Sequence, residues 1–237
     1  MLGVAVHAVI AYKLGDLWAP LMEDYFGLQG ITVPHGDSAY MAPLACVVEE
    51  IINKIPGIRT WNFSIRGLQK KVGVWGEPVI IGFILGTVVG FLAYFELDRG
   101  FIIGVQMAAV MVLMPRIVKC IMEGLTPLSE RAKEIMHKRN KKNPREFYIG
   151  MDPAILLGDS EVIAAGMLFI PITLLIAILM PGNKVLPCGD LATIGFFIAI
   201  AVAVHKGNLF RTLISGTLIM IMTIWITNQT VGWTTAL

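Results

Sequence analysis

Residues 33–40 read Val-Pro-His-Gly-Asp-Ser-Ala-Tyr, and residues 186–193 read Leu-Pro-Cys-Gly-Asp-Leu-Ala-Thr. The two stretches share the frame apolar-Pro-x-Gly-Asp-x-Ala, and each lies beside a long apolar segment. Pro and Gly interrupt helices, and an Asp at membrane depth is costly unless it faces a cavity or a partner. Two such breaks in corresponding places indicate a transporter whose two halves meet at a central binding site.

The composition of the 237-residue chain identifies it as an integral membrane protein. Hydrophobic residues make up 56% and charged residues 15%, and the mean hydropathy is +0.72. A soluble domain usually carries about 25% charged residues. The three cysteines are far apart, without metal-site spacing, and are interpreted as buried apolar residues. The N-terminus lacks the basic region and cleavage site of a signal peptide.

Two basic segments predict how the apolar segments cross the membrane. Residues 58–73 and 127–146 are rich in Lys and Arg. Between them lie two apolar stretches, 79–95 and 101–122, which are joined by a tight turn at 96–100. Because Lys and Arg accumulate on the cytoplasmic side, both basic segments are predicted to be cytoplasmic loops with the turn outside.

The other apolar segments complete a polytopic, all-α membrane protein. They lie at residues 1–18, 154–180, 194–204 and 212–227. The stretch 185–204 fits two structures, either one span broken at its start or a hairpin that enters the membrane before a short helix. The hairpin is preferred because a Pro, a Gly and an Asp occur together there.

Residues 44–55 follow the first motif and predict an amphipathic helix. Apolar residues recur at helical spacing on one face, while Glu49, Glu50, Asn53 and Lys54 take the other face. This helix is expected to lie in the membrane interface or to pack beside the first motif with its acids toward water.

The polar side chains of the two motifs are candidate ligands for a polar, uncharged substrate. Asp37 and Asp190 can accept hydrogen bonds from neighbouring hydroxyl groups, and His35, Ser38 and Thr193 can donate or accept them. Each Asp could instead cap the half-helix that follows it, and His35 could bond to the loop backbone. The sequence leaves these alternatives open.

Further polar residues at membrane depth are weaker functional candidates, since ionisable groups there are expensive. They are His7, Glu77, Gln106, Asp159 and Glu161. Glu77 precedes Pro78, where an acid also suits the positive end of a helix. His137 and His205 lie in basic stretches and are expected to have no specific role.

The motifs that define common enzyme sites are absent from the sequence. There is no phosphate-binding loop, nucleophile elbow, zinc-protease helix or Asp-rich diphosphate motif. No catalytic residue, metal or cofactor is therefore predicted, and no nucleic acid is expected as a partner.

Seven runs of sequence carry a resemblance to a known family. The longer runs are Ile31-Thr-Val-Pro-His-Gly-Asp-Ser-Ala-Tyr40, Pro181-Gly-Asn-Lys-Val-Leu-Pro-Cys-Gly-Asp-Leu-Ala-Thr-Ile-Gly-Phe-Phe197 and His205-Lys-Gly-Asn-Leu-Phe-Arg-Thr-Leu-Ile-Ser-Gly216. The shorter runs are Tyr12-Lys-Leu-Gly-Asp16, Gly76-Glu-Pro78, Met114-Pro-Arg116 and Glu123-Gly-Leu-Thr-Pro127. Together they resemble the galactitol-type IIC component of the bacterial phosphoenolpyruvate-dependent phosphotransferase system, over nearly the whole chain.

The resemblance implies a function that composition does not reveal. Such a component is a multi-pass permease, not an enzyme, and carries a sugar alcohol such as galactitol across the lipid bilayer of the bacterial inner membrane. A cytoplasmic IIB partner phosphorylates the substrate from a phosphocysteine that IIA has charged, and the permease is a homodimer. Cys188 is therefore not the phosphoryl-donor cysteine.

The resemblance also implies the ascorbate-type IIC fold within a single transmembrane domain, 1–237. That fold has inverted repeats and two re-entrant hairpins, which would correspond to residues 31–43 and 183–195. His35, Ser38, Asp190 and Thr193 would then face the substrate, with Glu77 and Asp37 as further substrate-binding candidates.

Length is where the chain departs from the family, because family members are longer. The chain is interpreted as the middle of such a transporter, either split or truncated. Two other hypotheses remain. One is an ion-coupled secondary transporter with inverted repeats, in which Asp37, Asp159, Glu161 and Asp190 would be the coupling acids. The other is a truncated remnant that does not transport and only assembles with other membrane subunits.

Overall fold

Helices form almost all of the structure, as the hydropathy pattern predicts. The structure is a computed structural model, and it describes residues 2–139, 148–185 and 194–234. Its α-helices are α1 (Leu2–Phe26), α2 (Ser38–Lys54), α3 (Ile65–Val72), α4 (Pro78–Tyr94), α5 (Leu97–Arg139), α6 (Ser160–Leu179), α7 (Ile194–Val204) and α8 (Leu209–Thr234). Short 3₁₀ helices occur at Gly73–Gly76 and Pro153–Gly158, and the strands are β1 (Ile31–Thr32) and β2 (Ile149–Gly150).

Three helices in these described ranges are long and apolar enough to cross a membrane. They are Leu97–Ala132 within α5, Ser160–Leu179, and Leu209–Gly232 within α8. The helices α4 and α7 are apolar but shorter. At 1.5 Å per residue, α7 is only about 16 Å long, roughly half the thickness of the hydrocarbon core. Most of its residues are buried, so α7 is a short apolar helix enclosed by protein.

The helices α4 and α5 form an antiparallel pair along a stripe of glycines. Gly82, Gly86 and Gly90 are buried on α4. A Cβ atom added to Gly86 would lie 2.7 Å from Cβ of Met107, so the backbones approach closely only because the stripe lacks side chains. The spacing predicts this contact and the structure confirms it. The tight turn differs slightly, because α5 already begins at Leu97.

The most buried part of the protein lies where α6, α7 and α8 pack together with α2. Gly166 of α6 and Gly195 of α7 bring their backbones together, since a Cβ on Gly166 would lie 3.2 Å from Cα of Gly195. Gly216 of α8 accommodates the fully buried ring of Phe169. Small residues therefore set the spacing of this core, as they do for α4 and α5.

The two short strands attach the first motif to the segment that leads into α6. Ile31 pairs with Ile149 and Thr32 with Gly150 in parallel register. The Ile149 N–H donates to the Gly30 carbonyl at 3.0 Å, and the Met151 N–H donates to the Thr32 carbonyl at 2.8 Å. The entrance to the first motif is thus held beside residues that follow the second basic segment.

Both basic segments contain helix where loops were expected. Residues 65–72 form α3, and α5 continues through the first part of 127–146 as far as Arg139. Pro127 lies inside α5, and the ion pair between Arg131 and Glu134, at 2.6 Å, joins side chains one helical turn apart beyond it. Such pairs stabilise the helical conformation, so α5 continues beyond its apolar portion.

The helix after the first motif starts earlier than its pattern predicts. It begins at Ser38 rather than after Pro43, so residues 38–43 of the expected hairpin 31–43 are helical. Its apolar stripe is divided, with Val48 buried in the core and Val47 exposed. The second hairpin, 183–195, lies largely outside the described residues, because the structure leaves out 186–193.

We predict that Gly216→Ala destabilises the protein. The new Cβ would lie 2.8 Å from Cε2 of the buried Phe169 ring, so the unfolding free energy should fall by about 1–3 kcal/mol. Gly232→Ala on the same helix is the matched control. It meets nothing within 4 Å and should be neutral or stabilising by up to about 1 kcal/mol. Denaturation in detergent, followed by tryptophan fluorescence, measures both, and equal stabilities would contradict the close contact of α6 and α8.

Candidate functional site

His35 and Ser38 of the first motif line a small cavity in the protein interior. Its volume is about 30 Å³, enough for one or two water molecules. Most of the wall is apolar. The other lining residues are Trp18, Met22, Val33, Met41, Pro153, Leu156, Phe196 and Ile200. We call it the motif cavity.

The local chain geometry explains how these two side chains are placed. The Ser38 hydroxyl donates to the His35 carbonyl at 2.6 Å, which tightens the turn before α2. Asp37 occupies the N-cap position of α2 but makes no side-chain cap bond there. The alternative that Asp37 caps this helix is therefore wrong, and its carboxylate lies 3.9 Å from Nδ1 of His35.

The helix that follows the second motif in the chain lines the same cavity. Helix α7 begins at Ile194, directly after residue 193, and its residues Phe196 and Ile200 line the cavity wall. The His35 ring meets Phe197 edge-on, with the ring centroids 6.0 Å apart. Asp190 and Thr193 themselves lie outside the described residues.

Two residues of α1 contact this region, and the sequence indicated only one of them. His7 packs against Gly36, where an added Cβ would lie 3.1 Å from its Nε2. Trp18, which was not among the candidate residues, lines the motif cavity. Its Nε1 is buried without a hydrogen-bond partner among the described residues. The one-turn spacing of Trp18 and Met22 was the only sequence signal for this face.

Glu77 lies at a different place from His35 and Ser38. It precedes α4 without a side-chain cap bond and lines a separate cavity of about 500 Å³. Arg66, Arg116 and Asp159 line that cavity too. The structure therefore places Glu77 in a different cavity from His35 and Ser38.

Asp159 and Glu161 act as acceptors for backbone and side-chain groups. Asp159 caps α6 by accepting from the N–H groups of Glu161 and Val162, and it also pairs with Arg66. The fully buried Glu161 accepts from the N–H groups of Ile65 and Arg66, both at 2.9 Å. It thereby serves the start of α3, whose first N–H groups have no partner within their own helix.

Glu49 is paired with groups of α8 and its side chain is 26% exposed, whereas Glu50 is exposed, so only one of the two acids departs from the expectation that they face water. Its carboxylate pairs with Arg211 of α8 and lies 2.6 Å from Nδ1 of His205. His205, expected to have no specific role, has a fully buried side chain, and its Nε2 lies 2.8 Å from the Ser215 hydroxyl. These polar residues join α2 to α8 because each buried charge needs a partner.

The order Glu49, His205, Ser215 resembles a hydrolase triad, but the surroundings of Ser215 exclude that role. Ser215 is fully buried, so a substrate cannot reach it. Its hydroxyl also has acceptors in the carbonyl groups of Arg211 and Thr212. The three residues therefore hold the helices together.

The titration of this cluster follows from its burial. Burial lowers the pKa of His205, which lies in the turn between α7 and α8, and the neighbouring Glu49 only partly opposes the shift. Burial alone would raise the pKa of Glu49. Hydrogen bonds with His205 and Asn53, together with the charges of His205 and Arg211, outweigh it and lower that pKa. Glu49 is thus the charged partner of Arg211 at neutral pH.

These features define a helical membrane protein with polar groups gathered around internal cavities, which is the architecture of a permease. A family model described as the PTS system sugar-specific permease component matches residues 1–237. The chain therefore belongs to this family of phosphotransferase-system permeases.

Curated relatives agree with the family match. The galactitol-specific EIIC components of the phosphotransferase system from Escherichia coli K12 and O157:H7 are each 52% identical over 237 residues. A putative permease IIC component of Escherichia coli K12 is 41% identical over 229 residues, or 97% of this chain. The resemblance to galactitol-type IIC components is confirmed. No solved structure matches the chain significantly.

The chain is shorter than these relatives. The aligned region covers all of this chain but only 52% of each galactitol-specific relative, so the chain spans about half of their length.

We predict that stability falls between about pH 7.5 and pH 5.5 and that His205 causes part of the fall. The pKa of His205 is lowered in the folded protein, so below about pH 6.5 the unfolded chain binds a proton that the folded protein does not. The unfolding free energy then decreases as the pH drops. Glu49 adds to the loss only near and below its ordinary value of 4.5.

Unfolding in detergent across this pH range tests the prediction. His205→Gln should be less stable at neutral pH but should show a flatter pH dependence than the wild type, because the titrating group is gone. The other histidines are common to both proteins, so the difference between the two slopes isolates His205. Parallel slopes would show that His205 titrates alike in the folded and unfolded states.

Proposed function

We propose that this chain forms the substrate-binding part of a phosphotransferase-system permease for a sugar alcohol, galactitol or a similar polyol. It would bind the polyol at the motif cavity, within the bacterial inner membrane, and translocate it for phosphorylation by a IIB partner. One observation carries this proposal. The first motif and the helix that directly follows the second motif line one and the same cavity.

The chemistry of the motif cavity suits a neutral polyol. The His35 ring, the Ser38 hydroxyl and the buried Trp18 N–H offer donors and acceptors among apolar walls. Hydrogen bonds are stronger in such surroundings than in water, so a few correctly placed groups can hold a chain of hydroxyl groups. In the proposal, Asp190 and Thr193 complete the set from the second motif, and Asp37 orients His35.

The size of the motif cavity requires movement during transport. At about 30 Å³ the cavity is far too small for a six-carbon polyol, so residues 33–37 and α7 must separate to admit one. Helix α7 is short and enclosed, as expected of the inner half of a re-entrant hairpin. Hairpins at residues 31–43 and 183–195, related as in the ascorbate-type fold, are therefore part of the proposal.

The basic end of the protein is the proposed meeting place with the IIB component, which IIA would charge. Residues of α3 and the end of α5 carry Lys and Arg there. The permease itself would not accept the phosphoryl group. Burial raises the pKa of the Cys46 thiol, and Glu50 and Glu49 raise it further, so the reactive thiolate is disfavoured. A homodimer, as in the ascorbate-type fold, completes the assembly.

We predict that His35→Ala and Asp190→Asn each weaken galactitol binding by about 3- to 10-fold. Each removes about one hydrogen bond from the bound polyol, and such a bond is worth about 0.5–1.5 kcal/mol. Titration calorimetry on the chain in nanodiscs of neutral lipid measures the affinity. Membrane insertion should be unchanged.

Glu77→Gln is the comparison variant, because it alters a polar group in the other cavity. It should leave galactitol affinity close to that of the wild type. If Glu77→Gln lost galactitol binding while His35→Ala and Asp190→Asn kept it, the galactitol site would have to be assigned to the cavity of about 500 Å³ that Glu77 lines. Uptake of unphosphorylated galactitol driven by an ion gradient would contradict the phosphotransferase function.

A further inference from the structure

A polar cavity lies between the end of α2, the segment after it and the turn between α7 and α8. Its volume is about 260 Å³. It is distinct from the motif cavity and has a mainly polar wall. We call it the arginine cavity, and its lining residues are Glu49, Arg59, Trp61, Asn62, Val204, His205, Lys206, Asn208 and Arg211.

The charges around the arginine cavity favour an anion. Three of its lining residues are cations, Arg59, Lys206 and Arg211, against the single acid Glu49. Both oxygens of Glu49 are already engaged, one by Arg211 and the other by His205. Arg59 forms no ion pair within the described part of the chain. Lys206 lies 3.7 Å from Asp24, but both side chains are exposed, so water screens that pair.

Arg211 is held rigidly at the wall of the cavity with one donor unused. Its side chain is only 11% exposed. It donates to the Asn53 side chain at 3.0 Å and to the Arg59 carbonyl at 2.8 Å, in addition to Glu49. Its Nε is buried and has no hydrogen-bond partner among the described residues. A fixed guanidinium group at the wall of the cavity attracts phosphate oxygens by its charge.

The start of α8 adds to the positive charge around the arginine cavity. Helix α8 begins at Leu209, and both Asn208 and Arg211 line the cavity. The N-terminus of a helix carries a partial positive charge that favours phosphate. Here the Leu209 N–H donates to the Phe63 carbonyl and the Arg211 N–H to the Asn208 side chain, so the contribution is that of the charge. The arginine cavity therefore combines cationic side chains with the partial positive charge of a helix N-terminus.

We propose that the arginine cavity binds the phosphate group of a phosphate monoester. The inference rests on the proposed function only for the identity of the ester, a polyol phosphate. Residues 58–73 and the turn that follows α7 both carry basic residues and both border this cavity, so it lies at the end predicted to be cytoplasmic. A newly phosphorylated polyol would meet the cavity as it leaves, and product held there would oppose further turnover.

The test uses the full chain in nanodiscs of neutral phosphatidylcholine. Inorganic phosphate and glycerol 3-phosphate are titrated at constant ionic strength, with chloride and free galactitol as controls, and binding is followed by calorimetry. The monoester should bind in the wild type. Arg59→Gln should weaken it about tenfold or more, because a cation that contacts the phosphate is lost while the buried pair of Glu49 and Arg211 remains intact.

Lys70→Gln is the matched control, since Lys70 is an exposed cation of α3 that does not line the cavity. It should leave the affinity unchanged. An equal loss in Lys70→Gln and Arg59→Gln would show general charge attraction and overturn the site. No phosphate binding by the wild type at millimolar concentrations would overturn it as well.

A lipid headgroup is the other source of the same phosphate chemistry. Nanodiscs that contain phosphatidylglycerol distinguish the two sources. If the anionic lipid abolishes monoester binding in the wild type, the cavity is a lipid site and the assignment to a soluble ester is wrong. Failure of galactitol to bind, with phosphate binding intact, would overturn the proposed substrate and leave the arginine cavity standing.

Discussion

Backbone N–H groups at the start of a helix need acceptors, and in this apolar protein buried carboxylates provide them. Glu161 accepts from the first N–H groups of α3, and Asp159 accepts from those of α6. Without such partners each group would cost several kcal/mol at membrane depth. The broken segments between helices are possible because these two acids, placed two residues apart, serve two helix starts at once.

The need of helix N-termini for acceptors also determines where the first basic segment, residues 58–73, lies. Because Glu161 on α6 accepts from Ile65 and Arg66, the amphipathic helix α3 is held against the start of α6. Arg66 then reaches Asp159, so side chain and backbone of one residue bind two neighbouring acids. Acids at such positions in the sequence look like ion-coupling groups. Here both are occupied by protein donors, which disfavours a role in ion coupling.

In the polar cluster of Glu49, His205 and Arg211, it is the buried side chains that need partners. A buried arginine is tolerated only with a paired carboxylate and further acceptors, and Arg211 has Glu49, Asn53 and the Arg59 carbonyl. The pairing sets the rotation of α2, which turns Glu49 inward and leaves Val47 exposed. Since Ser38 and Met41 line the motif cavity and Glu49 lines the arginine cavity, the single helix α2 borders both.

The sequence predicted the local features of the fold and missed those that depend on distant partners. The glycine stripe of α4 follows from neighbouring residues and is observed. The apolar segment predicted at 154–180 is divided instead, with a 3₁₀ helix at Pro153–Gly158 and α6 beginning at Ser160. The inward direction of Glu49 does not follow from neighbouring residues, because its partners His205 and Arg211 lie more than 150 residues away in the chain. An amphipathic pattern identifies the apolar face of a helix. It does not reveal that Glu49 on the polar face pairs with groups of α8 and of the turn before it, while Glu50, Asn53 and Lys54 stay exposed.

For the candidate site too, the sequence predicted what neighbouring residues determine and missed what distant partners determine. The repeated frame around Pro34 and Pro187 identified residues that border one cavity, His35 and Ser38 directly and the start of α7 by its position in the chain. Trp18 was missed because nothing local distinguishes a cavity-lining tryptophan from one at the interface. Glu77 was grouped with the motifs by resemblance, and only the packing of α4 and α5 places it in a separate cavity.

The motif cavity and the arginine cavity differ in the charge of the ligand that they can accept. This difference gives the proposed transport cycle a direction. The motif cavity offers neutral donors among apolar walls, where a phosphate would be costly to desolvate. The arginine cavity offers cations and a helix N-terminus, which gain little from a neutral polyol. Phosphorylation would convert a solute that suits the first cavity into one that suits only the second. In the proposed cycle, return of the product would be opposed by the cost of moving its charge inward, and transport would need no ion gradient.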